Sequence, residues 1–170
     1  MVRNHKDLLE SSPIEGMIPH KHVSPNTTTT FGLGEAGYDI RIKQDITFYH
    51  LFGLIPLIKV VDGKSKKYSV GRFTLASAIE KFSIPEDLVA IVHDKSTWAR
   101  RALSVFNTVA EPGWKGYLTL ELVYHGRKKL HIPAGSGIAQ VVFHELTVKQ
   151  KYTGRYQNQQ NKPIPAKSAE

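Results

Sequence analysis

Cysteine is absent from the 170 residues. Disulfides, thiolate nucleophiles and zinc sites built on Cys are thereby excluded, including the Pro-Cys-x-x-Cys ligand pair of the zinc-dependent nucleobase deaminases. The redox compartment stays open, because a chain without thiols is indifferent to it. Long hydrophobic runs are lacking too. The longest, Leu51 to Val61, is broken by Pro56 and Lys59 and is far too short to span a bilayer. Met1 to Gly16 has no apolar core followed by a small-residue cleavage site, as a secretory signal would. The expectation is a soluble, cytoplasmic protein with no membrane partner. Metal-ligand spacing is also missing. His20 and His22 fall in a loop, the other six histidines are scattered, and no His-x-x-x-His pair is completed by a carboxylate. No metal held by protein ligands is expected.

What is present is enough for one domain with a real core: 41% of residues are hydrophobic. The formal charge of +8 and the pI near 9.6 favour a polyanionic partner, whether nucleic acid, a membrane surface or a nucleoside triphosphate. The cations are dispersed, and the runs Lys64-Ser65-Lys66-Lys67 and Arg127-Lys128-Lys129 read as solvated turns. With no recognition helix or aromatic RNA-binding pattern, nucleic acid is not the expected partner.

Residues 4 to 17 read as one short helix, and Pro25 to Thr30 as loop or edge strand. From Gly37 on, short β-rich segments alternate with turn signals: Tyr38 to Ile42, Ile46 to Tyr49, Leu54 to Val61, Lys67 to Phe73, Leu88 to Val92, Tyr117 to Tyr124, Lys129 to Ile132 and Ile138 to Leu146. That spacing predicts a mainly β sandwich or barrel, with Ser96 to Ala102 as the one internal helix. Residues 1–146 are read as the β domain. Residues 147–170, rich in Lys, Gln, Asn and Pro, are read as a mobile tail able to close over a ligand.

Strand alternation puts Tyr117, Thr119 and Glu121 on one face and Leu118, Leu120 and Leu122 on the other. A lone strand Glu is ordinary solvent decoration, but this one follows a cluster of hydroxyls and cations. A helix beginning near Ser96 would present backbone NH groups and a hydroxyl beside Lys95, which suits an anion; the plainer reading makes Ser96 an N-cap and Arg100 a surface cation. Gly113 and Gly116 permit a tight turn that brings Glu111 and Trp114 to the same neighbourhood, although a Trp is more often core than a base-stacking plate.

Taken in order, Gly37-Tyr38-Asp39-Ile40-Arg41, Ser96-x-x-x-Arg100, Glu111-Pro112-Gly113-Trp114-x-Gly116 with Leu120-Glu121-Leu122, Pro133-Ala134-Gly135 leading to Ile138-Ala139-Gln140, and Tyr152-Thr153-Gly154-Arg155-Tyr156-Gln157-x-Gln159 resemble the dCTP deaminase and dUTPase superfamily, closer to the deaminase branch. The resemblance implies a distorted β-barrel or jelly-roll with one or two short helices, assembled as a homotrimer with active sites between subunits. It implies a zinc-free deamination of dCTP to dUTP, at C4 of cytosine, with onward cleavage to dUMP left open. Glu121 would be the general base, with Ser96 and Arg100 holding the water and the reacting base. Lys95, Arg155 and Tyr156 would hold phosphates, and Mg²⁺ would arrive on the triphosphate. Trp114 or Tyr152 would pack on the sugar or base, Gln159 would read the pyrimidine, and Thr97, Asn107 and Thr108 complete the implied substrate contacts. Glu111 stands where the dUTPase branch keeps an Asp that directs water at phosphorus. The alternatives are a dUTP pyrophosphatase, with or without deamination, and a non-catalytic nucleotide- or protein-binding module on the same fold. Between dCTP, dUTP and a modified deoxycytidine triphosphate the residues do not choose.

Overall fold

The computed structural model describes residues 1–106 and 108–168. In chain order the elements are β1 (Val2–Arg3), α1 (His5–Ser11), β2 (His22–Val23), β3 (Thr30–Leu33), β4 (Tyr38–Arg41), β5 (Asp45–Leu51), β6 (Ile55–Asp62), β7 (Ser65–Val70), β8 (Phe73–Ser83), β9 (Leu88–Asp94), α2 (Ser96–Ala99), β10 (Leu103–Val105), β11 (Val109–Ala110), β12 (Lys115–Tyr124), β13 (Leu130–Ile132) and β14 (Gly137–Glu145). No described helix is long and apolar enough to cross a membrane.

The described strands form three sheets. The largest runs β11-β9-β14-β4-β3-β2, with β1 also pairing β14; the second runs β10-β12-β8; the third runs β13-β5-β6-β7. They do not close into a barrel, and the arrangement is jelly-roll-like. Ile40, Val92, Val141 and Phe143 of the first sheet, Ala76, Leu120 and Leu122 of the second, and Ile46, Phe48 and Ile58 of the third meet in one core. Each large side chain among them contributes about 2 kcal/mol when wholly buried.

Three sequence expectations are corrected. The helix expected over residues 4 to 17 ends at Ser11, because Ser12 takes a left-handed conformation at φ 44° and Pro13 cannot continue the hydrogen-bond ladder. The strand expected over Lys67 to Phe73 is two strands. Gly71, at φ 123°, turns the chain, and Phe73 opens the eleven-residue β8, which alternation had not revealed. The run Lys64 to Lys67 is exposed as expected, but only Lys64 lies in the turn, since Ser65, Lys66 and Lys67 pair with Asp62, Val61 and Val60.

One buried ion pair ties the second sheet to the first. Glu80 of β8 accepts from the Arg41 backbone NH at 2.9 Å and from its Nε at 2.8 Å. Burial pushes the Glu80 carboxyl upward, and the Arg41 bonds only partly offset that.

Candidate active site

A cleft of about 660 Å³ opens over the second sheet. Its floor is β12. Between Tyr117 and Thr119 the pairing register with β8 slips, so that Tyr117 faces Lys81 while Thr119 faces Ser77. The slip breaks strict alternation locally: Leu118 is a core residue yet also borders the cleft, together with Thr119 and Glu121. The two-face reading of β12 holds for all three leucines, which are core, although Leu118 also borders the cleft and Thr119, on the opposite face, is itself buried. Opposite Glu121 in the ladder is Leu75, and Phe73 lies beyond it on the cleft wall. Phe73 closed the strand expected over Lys67 to Phe73, whereas Leu75 belongs to the part of β8 that sequence alternation missed, so this apolar wall could not be read in advance as a whole.

Glu121 is half-buried against those walls, and burial raises its carboxyl above the usual range. Glu111 lines the same cleft, as do Thr108, Trp114, Tyr152, Tyr156 and Gln159. The Glu111-Pro112-Gly113-Trp114 turn closes with Trp114 NH donating to the Glu111 carbonyl at 3.0 Å, and Gly113 supplies the required φ of 72°. Trp114 is nearly buried, tilts against Phe82 at 6.1 Å, and donates from Nε1 to the Tyr156 carbonyl at 2.7 Å. It is both core and cleft wall.

The segment after Leu146 lies along this site as a strap. Tyr152 NH donates to the Pro112 carbonyl at 2.7 Å, Asn158 NH to Lys115 at 2.9 Å, and Tyr117 NH to Gln159 at 3.2 Å. Gly116 makes the close approach possible: at φ 138°, a Cβ on it would lie 2.6 Å from the Gln159 nitrogen. Farther on, Ile164 NH donates to Thr119 Oγ1 at 3.0 Å, and Ile164, Pro165 and Ala166 line the cleft beside Glu121. Those three residues carried no signal in the sequence beyond belonging to the tail.

The cation cluster is elsewhere. Lys95, Ser96, Thr97, Arg100 and Arg155 do not line the cleft, which among its described residues holds two carboxylates and no Lys or Arg. Lys95 is nearly buried and ion-paired with Asp39 of β4, and Thr30 accepts a second bond from it at 3.2 Å. That pair fixes the end of β9. Trp98, buried, anchors the four-residue α2 by donating from Nε1 to the Gly137 carbonyl at 2.7 Å. Ser96 and Arg100 are left pointing to solvent on a rigid support. The N-cap is Lys95, without a side-chain cap bond, so Ser96 is not the N-cap that the plainer reading made it. Arg155 donates from Nη1 to the carbonyls of Lys167 at 2.9 Å and Ser168 at 3.2 Å. Asn107 lies outside the described residues.

Among the described residues no three of His, Asp and Glu gather as a metal-holding group. A family model described as dCTP deaminase-like matches residues 8–146. The chain belongs to that family. It is 36% identical over 150 residues to a dCTP deaminase of Protochlamydia amoebophila, covering 80% of each chain. It is 30% identical over 179 residues to one of Methylacidiphilum infernorum, covering 97% of this chain and 93% of the other. A mutant dUTPase from phage phi11 of S. aureus, whose structure describes coordination of a structural Mg(II) ion, superposes with a TM-score of 0.52 at 12% identity. That match covers 84% of this chain and 95% of the other, and it shows the shared fold. With relatives of that kind over most of its length, the family member described here is an enzyme.

Proposed function

We propose that the protein deaminates dCTP to dUTP without zinc, using water activated by Glu121. The observation that carries this reading is the setting of Glu121: a half-buried carboxyl, raised by burial, on the floor of a cleft large enough for a nucleotide. Glu121 takes a proton from water while the water oxygen bonds to C4 of cytosine, and the proton passes to N3. The hydroxyl proton of the tetrahedral carbon then travels through the same carboxyl to the amino group, the C4–N bond breaks, and ammonia leaves a C4 carbonyl behind. The apolar walls keep bulk water from competing for the carboxyl.

The cleft holds no cation among its described lining residues, whereas a triphosphate carries several negative charges. Ser96 and Arg100, exposed on the anchored α2, serve the cleft of a neighbouring copy in this reading, which takes the protein as a homotrimer with sites between subunits. Mg²⁺ enters as part of the substrate. The strap residues Tyr152, Tyr156 and Gln159 close the site over the nucleotide.

A second reading rests on Glu111, which shares the cleft with Glu121. A carboxylate there can direct a second water at phosphorus, giving dUMP from the dUTP formed or, without deamination, a dUTP pyrophosphatase. Glu121→Gln separates the two. Ammonia release from dCTP is expected to vanish while any pyrophosphate release from dUTP persists; surviving ammonia release defeats the assignment. The shared site has its own test. Mixed assemblies of Arg100→Ala and Glu121→Gln chains, each inactive alone, are expected to recover part of the activity, because some interfaces then hold one intact set. No recovery places both residues in one subunit's site.

A further inference from the structure

A second cavity of about 540 Å³ lies beside the catalytic cleft, separated from it by Leu75, which borders both. Its walls are the β6–β7 hairpin and the start of β8, and the strap residues Lys162 and Pro163 border it as Ile164 to Ala166 border the cleft. The Lys64-Ser65-Lys66-Lys67 run, which looked like solvated decoration, supplies one wall: the alternate residues Ser65, Lys67 and Ser69 of β7 all border the cavity. Facing them are Lys162 and the buried Gln44. One carboxylate is present, but Asp62 is already engaged, accepting from Gln44 Nε2 at 3.0 Å and lying 3.8 Å from Lys43 Nζ. Among the described residues neither Lys67 nor Lys162 is ion-paired. Two exposed ammonium groups from separate segments and two serine hydroxyls thus border an open cavity whose one carboxylate, Asp62, is engaged by Gln44 and Lys43.

From this cluster we propose that the cavity is a second anion site, distinct from the catalytic cleft, which binds a linear polyphosphate. Phosphate oxygens are acceptors only, and ammonium and hydroxyl groups are the donors that match them. The ligand is either free polyphosphate, the class that phosphate cleavage of a nucleotide releases, or the phosphate chain of an effector nucleotide. Both present the same oxygens to Lys67 and Lys162.

Calorimetric titration of the full chain with inorganic tripolyphosphate at about 0.15 M salt, where charges are screened beyond about 8 Å, tests the site. Binding is expected, and Lys67→Glu and Lys162→Glu are each expected to weaken it by roughly tenfold or more, since each replaces a donor by a repelling charge. Glu121→Gln leaves that affinity unchanged. Lys64→Glu makes the same change of charge on the same hairpin but outside the cavity, and it leaves affinity within about twofold, because Lys64 does not border the bound phosphates and its field is screened by the salt. The proposal falls if the wild-type chain does not bind, if Lys67→Glu binds as well as wild type, or if Lys64→Glu weakens binding as much as Lys67→Glu. Circular dichroism of each variant separates lost binding from lost fold. Repeating the titration with dTTP distinguishes the sources: a Lys67-dependent affinity above that for tripolyphosphate assigns the site to a nucleotide effector, and an equal or lower one assigns it to free polyphosphate.

Discussion

Gln157 is the residue on which the docked strap can be tested. Its Oε1 accepts from the Lys115 backbone NH at 2.7 Å, and its Nε2 donates to the carbonyls of Gly113 at 2.9 Å and Tyr152 at 3.1 Å. Two of the three bonds cross from strap to body; the third shapes the strap itself. At a net worth of about 1 kcal/mol each, the two crossing bonds contribute about 2 kcal/mol to seating the strap. Since 1.4 kcal/mol is a factor of ten, Gln157→Ala is expected to raise the strap-free population by about 30-fold. The core is untouched, so this is a local opening and not global unfolding. Hydrogen exchange read by mass spectrometry is the assay. Amides of the strap such as Asn158, which donates to Lys115, should exchange about 30-fold faster in the variant, while those of β12 and β14 keep their rates. Equal strap rates in the two proteins, or wild-type strap amides already exchanging as in a free peptide, would refute the reasoning.

The remaining expectations concern charge. Because burial raises Glu121 and the proton acceptor must be ionised, the acid limb of kcat/KM should have its midpoint above the ordinary glutamate value of about 4.3, and Phe73→Ala, which opens the wall to water, should move it down. The stability sign follows from the same shift. A folded-state value raised above the unfolded one favours the folded state at low pH, and that contribution is lost as pH rises through the raised value; Glu121→Gln should remove this part of the stability profile, measured by urea titration. Arg41→Met leaves Glu80 buried with neither its Nε partner nor a compensating charge, and should cost about 3 kcal/mol at neutral pH. The loss should shrink on acidification as Glu80 takes up a proton, and a loss independent of pH would show that packing, not charge, is what Arg41 supplies.

Much was determined by the sequence alone. The absence of Cys excluded a Cys-built zinc site outright, because that chemistry requires a residue type that is not there. The strands at Tyr38–Arg41, Leu88–Asp94, Lys115–Tyr124 and Gly137–Glu145 were legible because each has a buried face whose period is local, and the family was legible because its motifs survive in order. Glu121, Glu111, Trp114 and the strap tyrosines could be named in advance for the same reason. What only the tertiary structure decided is which of these share a space. The register slip between Tyr117 and Thr119 left Leu118 bordering the cleft, and the turn at Gly71 led into the strand that sets Leu75 opposite Glu121 and Phe73 opposite Val123. The Asp39–Lys95 pair and the Trp98 anchor held Ser96 and Arg100 away from that cleft, and Lys67 met Lys162 across a second cavity. Registers, bulges and ion pairs between distant segments depend on summed packing over the whole chain, so no local window of residues could have fixed them.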